Sequence, residues 1–139
     1  MLRFPAVIGM KVMEDVPYIV GLHKWLGTDL DDAACGDQNN PDLYGKQLAG
    51  KALCLPQTIG STTGGLVLYC ACAMGRQPGC MLFSGPVDSL AAAGSILASV
   101  WLDDVNIPVI DSLGQEFLDY VKDGMTNTAL SDGTVCVDG

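Results

Sequence analysis

The segment from Leu53 to Met74 constrains this chain more than any other part of its sequence. It begins as a short apolar strand, passes through a loop of small residues and enters an almost wholly apolar helix. A helix start presents unpaired backbone N–H groups and a partial positive charge. Strand, Gly-Ser loop and helix N-terminus together favour binding of an anion, such as a carboxylate or a phosphate. The sequence therefore predicts an anion site at Ser61, Thr62 and Thr63.

Strand and helix patterns alternate from Gly50 onward. The predicted strands are Lys51 to Leu55, Cys80 to Phe83 and part of Val105 to Ile110. The predicted helices are Thr62 to Met74, Asp88 to Trp101 and Ser112 to Lys122. Gly75 and Pro78 end the first of these helices, and Gly124 ends the third. Such alternation predicts βαβ units with right-handed crossovers. Ligands of such sheets lie beyond the carboxyl ends of the strands, so the loops at 56–63 and 84–88 are expected to share a crevice.

Two of these helices begin with capping patterns. Asp88 is predicted to cap the second helix, whose buried stripe would be Leu90, Ala93, Leu97 and Val100 or Trp101. Ser112 and Gln115 have the spacing of a capping box at the start of the third helix.

The two ends of the chain are predicted to add strands. Thr126 to Leu130 and Thr134 to Val137 flank an Asp-Gly pair that is typical of a hairpin turn. Val16 to Trp25 is apolar and β-prone, after a poorly patterned start, and Gly27 to Pro41 resembles a long polar loop. We therefore expect one α/β domain over residues 1–139, with a mixed sheet and flanking helices.

Charge and hydropathy exclude several classes of protein. Seven basic and sixteen acidic residues give a net charge of −9, which argues against nucleic acid and against an anionic membrane surface as partners. The apolar runs are far shorter than the ~20 residues of a membrane span. No apolar core of a signal peptide is expected at the N-terminus.

The cysteines and the single histidine argue against a metal centre within this chain. Four of the six cysteines lie in apolar runs, which favours buried thiols in a reduced, cytoplasmic protein. Cys70 and Cys72 would point about 200° apart on a helix, which disfavours a site built from that pair. His23 is the only histidine, so a two-histidine metal motif cannot be built within this chain. No metal ligand is predicted.

Several motifs, taken in order, resemble a known family. They are Trp25 to Asp29, Asn40 to Leu53, Pro56, Gly60 to Gly64, Gly94, Ile107 to Val109 and Asp132 to Asp138. Together they are similar to the small subunit, or swivel domain, of the aconitase X type dehydratases. The resemblance covers about residues 17–139, with residues 1–16 weakly matched, and implies a swivelling β/β/α domain.

The resemblance also implies an activity. Members of this family are hydro-lyase subunits or domains that dehydrate cis-3-hydroxy-L-proline or 5-phosphomevalonate. The family's serine matches Ser61, which is the implied catalytic base, and Gly60, Thr62, Thr63 and Gly64 are the implied substrate-binding residues. The implied partner is a large subunit, or fused large domain, that holds an iron–sulfur cluster and polarises the leaving hydroxyl. This chain is expected to bind no cofactor itself.

Three residues depart from the family pattern. Ile59 stands where the family usually has Arg, Cys70 where it has Glu, and Asn40 where it has His. Loss of the cation at Ile59 weakens the case for a phosphorylated substrate, so cis-3-hydroxy-L-proline is the favoured substrate. The alternatives are a phosphomevalonate dehydratase small subunit and a diverged, non-catalytic module for carboxylate binding or protein contacts.

Two structural alternatives stand beside the functional ones. Ser61 is equally suited to cap the helix, a role that is compatible with catalysis. The glycines at 64 and 65 serve either close helix packing or backbone approach to an anion.

Overall fold

The chain folds around a parallel sheet with the strand order β1-β2-β3-β4. The computed structural model describes residues 2–3, 34–35, 41, 43–58 and 64–139. In chain order the elements are β1 (Leu2–Arg3), β2 (Ala52–Leu55), α1 (Gly64–Ala73), β3 (Cys80–Phe83), α2 (Ser89–Trp101), β4 (Val109–Ile110), α3 (Gln115–Tyr120), β5 (Thr126–Ala129) and β6 (Val135–Asp138). The predicted α/β class is confirmed.

The predicted hairpin is confirmed as an antiparallel pair of its own. β5 pairs with β6 from Thr126 opposite Asp138 to Ala129 opposite Val135, and in the described residues it forms a second sheet. At the turn, the Thr134 N–H donates to Asp132 Oδ1 at 2.9 Å. This hydrogen bond lowers the pKa of Asp132 below its ordinary value.

Apolar side chains alternate between the two faces of the sheet, as strand geometry requires. Leu53 and Phe83 belong to one core with Leu68 of α1 and Ala98 of α2. On the opposite face, Leu82 is joined by Cys54, Leu118, Val121 and partly buried side chains of β6. The sheet is thus covered by α1 and α2 on one face and by α3 and the hairpin on the other.

Helix α1 ends where the sequence predicts. Gly75 has φ = 67°, its N–H donates to Cys72 O at 2.9 Å, and Arg76 N–H donates to Ala71 O at 2.9 Å. These two bonds form a Schellman motif, in which glycine supplies the left-handed residue after the helix. The start of the predicted helix, at Thr62 and Thr63, lies outside the described residues.

The cap of α2 is confirmed, and its predicted buried stripe is confirmed only in part: Leu90 is half-buried against the core and Leu97 is half-buried. Ala93, Val100 and Trp101 are exposed, the last two by 69% and 67%. The buried residues are instead small ones: Ala91, Gly94, Ser95 and Ala98. Small residues face inward because α2 approaches α1 through backbone contact, which large side chains would prevent.

The capping box predicted for α3 is also absent. The N-cap is Gly114, with φ = 83° and no side-chain cap. Ser112 has φ = 58°, in the left-handed region, whereas an N-cap residue is typically in the β region. The helix ends at Tyr120, before the predicted Lys122.

Several expectations fall on residues that the structure does not describe. They are the strand at Val16 to Trp25, the weakly patterned start beyond Arg3, most of the loop from Gly27 to Pro41, and His23. In that loop region, Ala34 and Cys35 make isolated bridges to Gln47 and Tyr44. Among the described helices, none is long and apolar enough to cross a membrane.

Candidate active site

Three loops meet at the carboxyl edge of the parallel sheet. The connection after β3 is hydrogen-bonded to the one after β2, with Ser84 N–H on Leu55 O at 2.9 Å and Gly85 N–H on Pro56 O at 3.2 Å. The connection after β3 also accepts a hydrogen bond from the connection after β4, in which Gly114 N–H donates to Ser84 O at 2.9 Å. The described parts of the loops at 56–63 and 84–88 are therefore in direct contact, and the crevice between them stays a prediction.

Of the predicted site residues, the structure describes only Gly64. It is the first residue of α1 and is buried. Gly60, Ser61, Thr62 and Thr63 lie outside the described residues, as does Ile59. Because Thr58 follows β2 at the carboxyl edge and Gly64 begins α1, the five residues between them join this edge to the helix start.

Close packing accounts for Gly65. A Cβ atom built on Gly65 would lie 2.5 Å from Leu90 O, and one built on Gly94 would lie 2.5 Å from Gly65 O. Both distances are too short for real side chains, so α1 and α2 touch through their backbones. Of the two alternatives for the glycines, helix packing is the one that Gly65 fulfils. This contact fixes the first turn of α1 against the first half of α2.

Asp88 caps α2 with only one of its carboxylate oxygens. Oδ1 accepts from Leu90 N–H at 2.8 Å and from Ala91 N–H at 3.1 Å. Oδ2 is shielded from water and makes no hydrogen bond in the described structure. A shielded carboxylate oxygen without a donor is costly, and such atoms mark strain or a missing ligand.

Thr58 is a second polar group without a partner at the same edge. Its side chain is 7% exposed, and among the contacts of the described residues its Oγ1 has no hydrogen-bond partner. Thr58 is not among the residues predicted from the sequence. The available signal was its position, since it is a hydroxyl residue just after a buried strand and three residues before Ser61.

Asp111 supports this edge as well. Its Oδ2 accepts from Val87 N–H at 3.0 Å, which joins the end of β4 to the segment before α2. Sequence analysis missed this residue too, because a carboxylate that bonds a backbone 24 positions away has no local pattern.

The described basic side chains lie at the opposite, amino edge of the sheet. They are Lys46, Lys51, Arg76 and Lys122. Lys51 directly precedes β2, and Arg76 lies in the connection that enters β3. Lys46 Nζ is 2.9 Å from Asp123 Oδ2, in the segment before β5 that shares a groove with the amino ends of β2 and β3. Asp88 and Asp111 lie at the carboxyl edge, where their carboxylates accept hydrogen bonds from the backbone at the start of α2 and before it.

Within the described residues the cysteines form no metal centre. The six cysteines form no disulfide, and in the described parts of the chain no three His, Cys, Asp or Glu side chains come together around a metal position. Burial raises the pKa of Cys72 to about 11 and also raises the pKa of Cys70 and of Cys80. Such thiols remain protonated at neutral pH. The residues described here do not fit an iron–sulfur cluster.

Comparison with known proteins identifies the family. The family model for the aconitase X swivel domain matches residues 16–137. The chain belongs to the aconitase X swivel domain family. The resemblance seen in the motifs is thereby confirmed.

Named relatives of this aconitase X swivel domain include two dehydratases. It is 35% identical over 92 residues to the phosphomevalonate dehydratase small subunit of Methanocella arvoryzae, which covers 66% of this chain and 62% of that one. It is 38% identical over 78 residues to the cis-3-hydroxy-L-proline dehydratase of Pseudomonas aeruginosa, covering 56% of this chain and 13% of that protein. The chain thus spans less than two thirds of the first relative and a small part of the second.

A solved structure shares the fold. The crystal structure of Thermococcus kodakaraensis aconitase X in its holo-form matches with a TM-score of 0.63 and 24% identity, over 79% of this chain and 74% of that one. The swivel-domain architecture predicted from the motifs is accordingly confirmed at the level of the fold.

Proposed function

We propose that this chain is the small, swivel subunit of an aconitase-like hydro-lyase that dehydrates a small hydroxy acid. The observation that carries the proposal is the family match over residues 16–137, in a chain whose strand–loop–helix segment opens at the carboxyl edge of the sheet. The favoured substrate is cis-3-hydroxy-L-proline. A phosphomevalonate dehydratase small subunit is the second candidate, favoured by the 35% identity to that subunit in Methanocella arvoryzae.

Ser61 is proposed as the catalytic base. In a dehydration, the proton leaves the carbon beside the carboxylate and its electron pair becomes the new double bond, while hydroxide leaves the neighbouring carbon. An ordinary serine hydroxyl is a weak base, so a serine in this role needs stabilisation of its alkoxide. The partial positive charge at the N-terminus of α1 supplies part of that stabilisation.

The residues around Ser61 are proposed to hold the substrate. Gly60, Thr62, Thr63 and Gly64 precede or begin α1, where backbone N–H groups favour a carboxylate. A partner large subunit is proposed to hold the iron–sulfur cluster, which would act as a Lewis acid at the leaving hydroxyl. This chain's own part is to bind the carboxylate, orient the substrate and take the proton.

The experiment is co-expression with a large subunit of the aconitase X type, followed by dehydration assays. The panel comprises cis-3-hydroxy-L-proline, 5-phosphomevalonate and simple 2- and 3-hydroxy acids. We expect turnover of cis-3-hydroxy-L-proline. Turnover of 5-phosphomevalonate alone would establish the second candidate, and a complex without activity on any hydroxy acid would favour the non-catalytic module.

A further inference from the structure

A groove of about 680 Å³ lies at the amino edge of the sheet, opposite the edge of the proposed active site. Its walls are the amino ends of β2 and β3, Pro108 before β4, and residues 124–129, which include β5. Pockets that bind small molecules have volumes of roughly 300–1,000 Å³. This amino-edge groove is therefore large enough for a metabolite, and the proposed dehydration makes no use of it.

Asn127 is an unusual residue for its place in the wall of the groove. It lies opposite Val137 in the β5–β6 pair, and opposite residues point to the same face of a hairpin. Val137 packs against the apolar cluster that contains Leu82, whereas Thr126 and Thr128 on the other face are exposed. A strand position that faces the core ordinarily holds an apolar side chain, and asparagine is depleted in strands.

The amide group of Asn127 makes no hydrogen bond in the described structure. Both Oδ1 and Nδ2 are shielded from water and without a partner. A buried polar group ordinarily regains the hydrogen bonds it loses to water, either from the protein or from a bound molecule. Asn127 borders the groove, and the last side-chain torsion of asparagine is broad. The amide can therefore turn toward a molecule in the groove and offer it an N–H donor and a carbonyl acceptor.

Lys51 supplies a positive charge to the same groove. It is exposed, and its ammonium group has no ion-pair partner among the described residues, whereas Lys46 is paired with Asp123 at 2.9 Å. The described lining of the groove includes no Asp or Glu, in a chain with a net charge of −9. The groove is thus a locally basic surface on an acidic protein.

These features together select the class of ligand. A carboxylate can accept from both Lys51 Nζ and Asn127 Nδ2, and hydrogen bonds to ionised groups are roughly twice as strong as neutral ones. A phosphate group carries about −1.5 to −2 charges at pH 7, which a single lysine does not balance. Ala52, Pro108 and Met125 add apolar surface to the lining. An organic acid with one carboxylate and an apolar body fits this combination.

We propose that the amino-edge groove is a second binding site of this chain, which holds a small monocarboxylate through Lys51 and Asn127. The inference goes beyond the proposed function and does not depend on it. The lining residues are all described, and they lie at the opposite edge of the sheet from the residues assigned to the dehydration.

The test is an NMR titration of the full chain, in which the backbone amide signals of the groove residues report binding. Benzoate is the probe, benzyl alcohol is the same ring without a charge, and inorganic phosphate is an anion without an apolar body. The variants are Asn127→Leu, which keeps the approximate volume without polar atoms, and Lys51→Gln, which removes the charge. Lys122→Gln is the matched control, since Lys122 is exposed and does not line the groove.

We expect benzoate to shift the groove signals saturably, with inorganic phosphate and benzyl alcohol binding at least about tenfold more weakly. Asn127→Leu should raise the Kd for benzoate by about tenfold, the loss typical of one hydrogen bond to a charged group. Lys51→Gln should raise it by about two- to fivefold, as for an exposed ion pair. Lys122→Gln should leave it unchanged.

Thermal unfolding separates a ligand role of Asn127 from a structural one. Exchange of an unpaired buried polar group for an apolar one of similar size is neutral or stabilising, so Asn127→Leu should keep or raise the Tm. A lower Tm with an unchanged Kd for benzoate would make Asn127 a structural residue and overturn the inference. Lys51→Gln, at an exposed position, keeps the test decisive if Asn127→Leu does not fold.

Three results of the titration would also overturn the inference. They are benzoate shifts confined to other parts of the chain, phosphate binding as tight as that of benzoate, and equal losses of affinity in Lys51→Gln and Lys122→Gln. None of them bears on the dehydratase assay, so failure of this site and failure of the proposed function are read from separate experiments.

Discussion

At the residue scale, substitutions at Ser61 and Thr62 distinguish an effect on catalysis from an effect on stability. Ser61 is the proposed base and is also suited to cap α1, and Thr62 follows it. A cap and a base differ in the size of their effects. Substituting a capping serine by alanine costs about 1 kcal/mol, which a domain with a free energy of unfolding of ~5–15 kcal/mol survives.

Ser61→Ala is expected to abolish dehydration in the assembled enzyme while the subunit stays folded. Loss of an essential base lowers kcat by at least ~10²–10⁴-fold. Thr62→Ala should be milder, since the loss of one hydrogen bond to substrate is worth about 1 kcal/mol net. Steady-state kinetics and thermal unfolding of both variants check this. Near-normal turnover of Ser61→Ala would leave Ser61 as a cap only.

The buried cysteine thiols predict a pH dependence of stability. Burial raises the pKa of Cys72 from 9.0 to about 11, and the pKa of Cys80 shifts in the same direction. Below pH 9 the thiols are protonated in both states. Between pH 9 and about 11 the unfolded chain loses protons that the folded chain keeps, so the free energy of unfolding falls as the pH rises.

Urea unfolding at neutral pH and at pH 10 is the measurement for this effect. We expect a lower midpoint at the higher pH, and a smaller decrease in Cys72→Ala. Cys136→Ala is the matched control, because Cys136 is exposed and its removal should leave the pH dependence intact. A midpoint that rises with pH in the unsubstituted chain would contradict the prediction.

At the element scale, the contact between α1 and α2 positions the start of α1. The buried residues of α2 are small, whereas the predicted stripe of large apolar residues included Val100 and Trp101, which are exposed. Periodicity identifies a helix and its length, but it assumes that the largest side chains are buried. A helix pair that meets through glycine reverses this expectation, since close approach requires the smallest residues.

Gly94→Ala is expected to destabilise the fold and to displace α1. The new Cβ would lie 2.5 Å from Gly65 O and 2.8 Å from Gly65 Cα, so backbone must move. Overpacking of this kind costs about 1–3 kcal/mol, which exceeds the ~1 kcal/mol gained from the better helix propensity of alanine. Displacement of α1 should also lower the activity of the assembled enzyme through Ser61.

Ser99→Ala is the control for Gly94→Ala. Ser99 lies on the exposed face of α2. Its replacement by alanine raises helix propensity and brings no new contact with the backbone of α1. Thermal unfolding should rank Gly94→Ala below the unsubstituted chain and Ser99→Ala close to it. Equal stability of Gly94→Ala and the unsubstituted chain would show that the two helices can separate at little cost.

At the scale of the whole molecule, the fold class, the strands from β2 to β4 and the hairpin are predictable from the sequence. Asp88 is predictable as a cap because that role depends on neighbours two and three residues away. The contact made by Asp111 is not, because it depends on which loops meet at one sheet edge. Ser112 is wrong as a capping residue because its backbone is left-handed, bonded through its N–H to Gly85 O at 3.0 Å.

The isolated chain is expected to have no dehydratase activity. Its sequence has one histidine, and its described residues contain no cluster of metal ligands. The proposed reaction requires a Lewis acid, which we assign to the partner subunit. Assays of the purified chain alone and after addition of the large subunit check this. Turnover by the isolated chain would refute the assignment of the Lewis acid to the partner subunit.

The bonded network at the carboxyl edge has a thermodynamic consequence for ligand binding. Ser84, Gly85, Ser112, Leu113 and Gly114 all donate backbone hydrogen bonds to neighbouring loops or strand ends, at 2.9 to 3.2 Å. Backbone that is already held need not lose conformational entropy when a ligand arrives. The connections after β3 and β4 are therefore ordered before any ligand binds, so a ligand of the proposed site would gain affinity from contacts with them without having to order them.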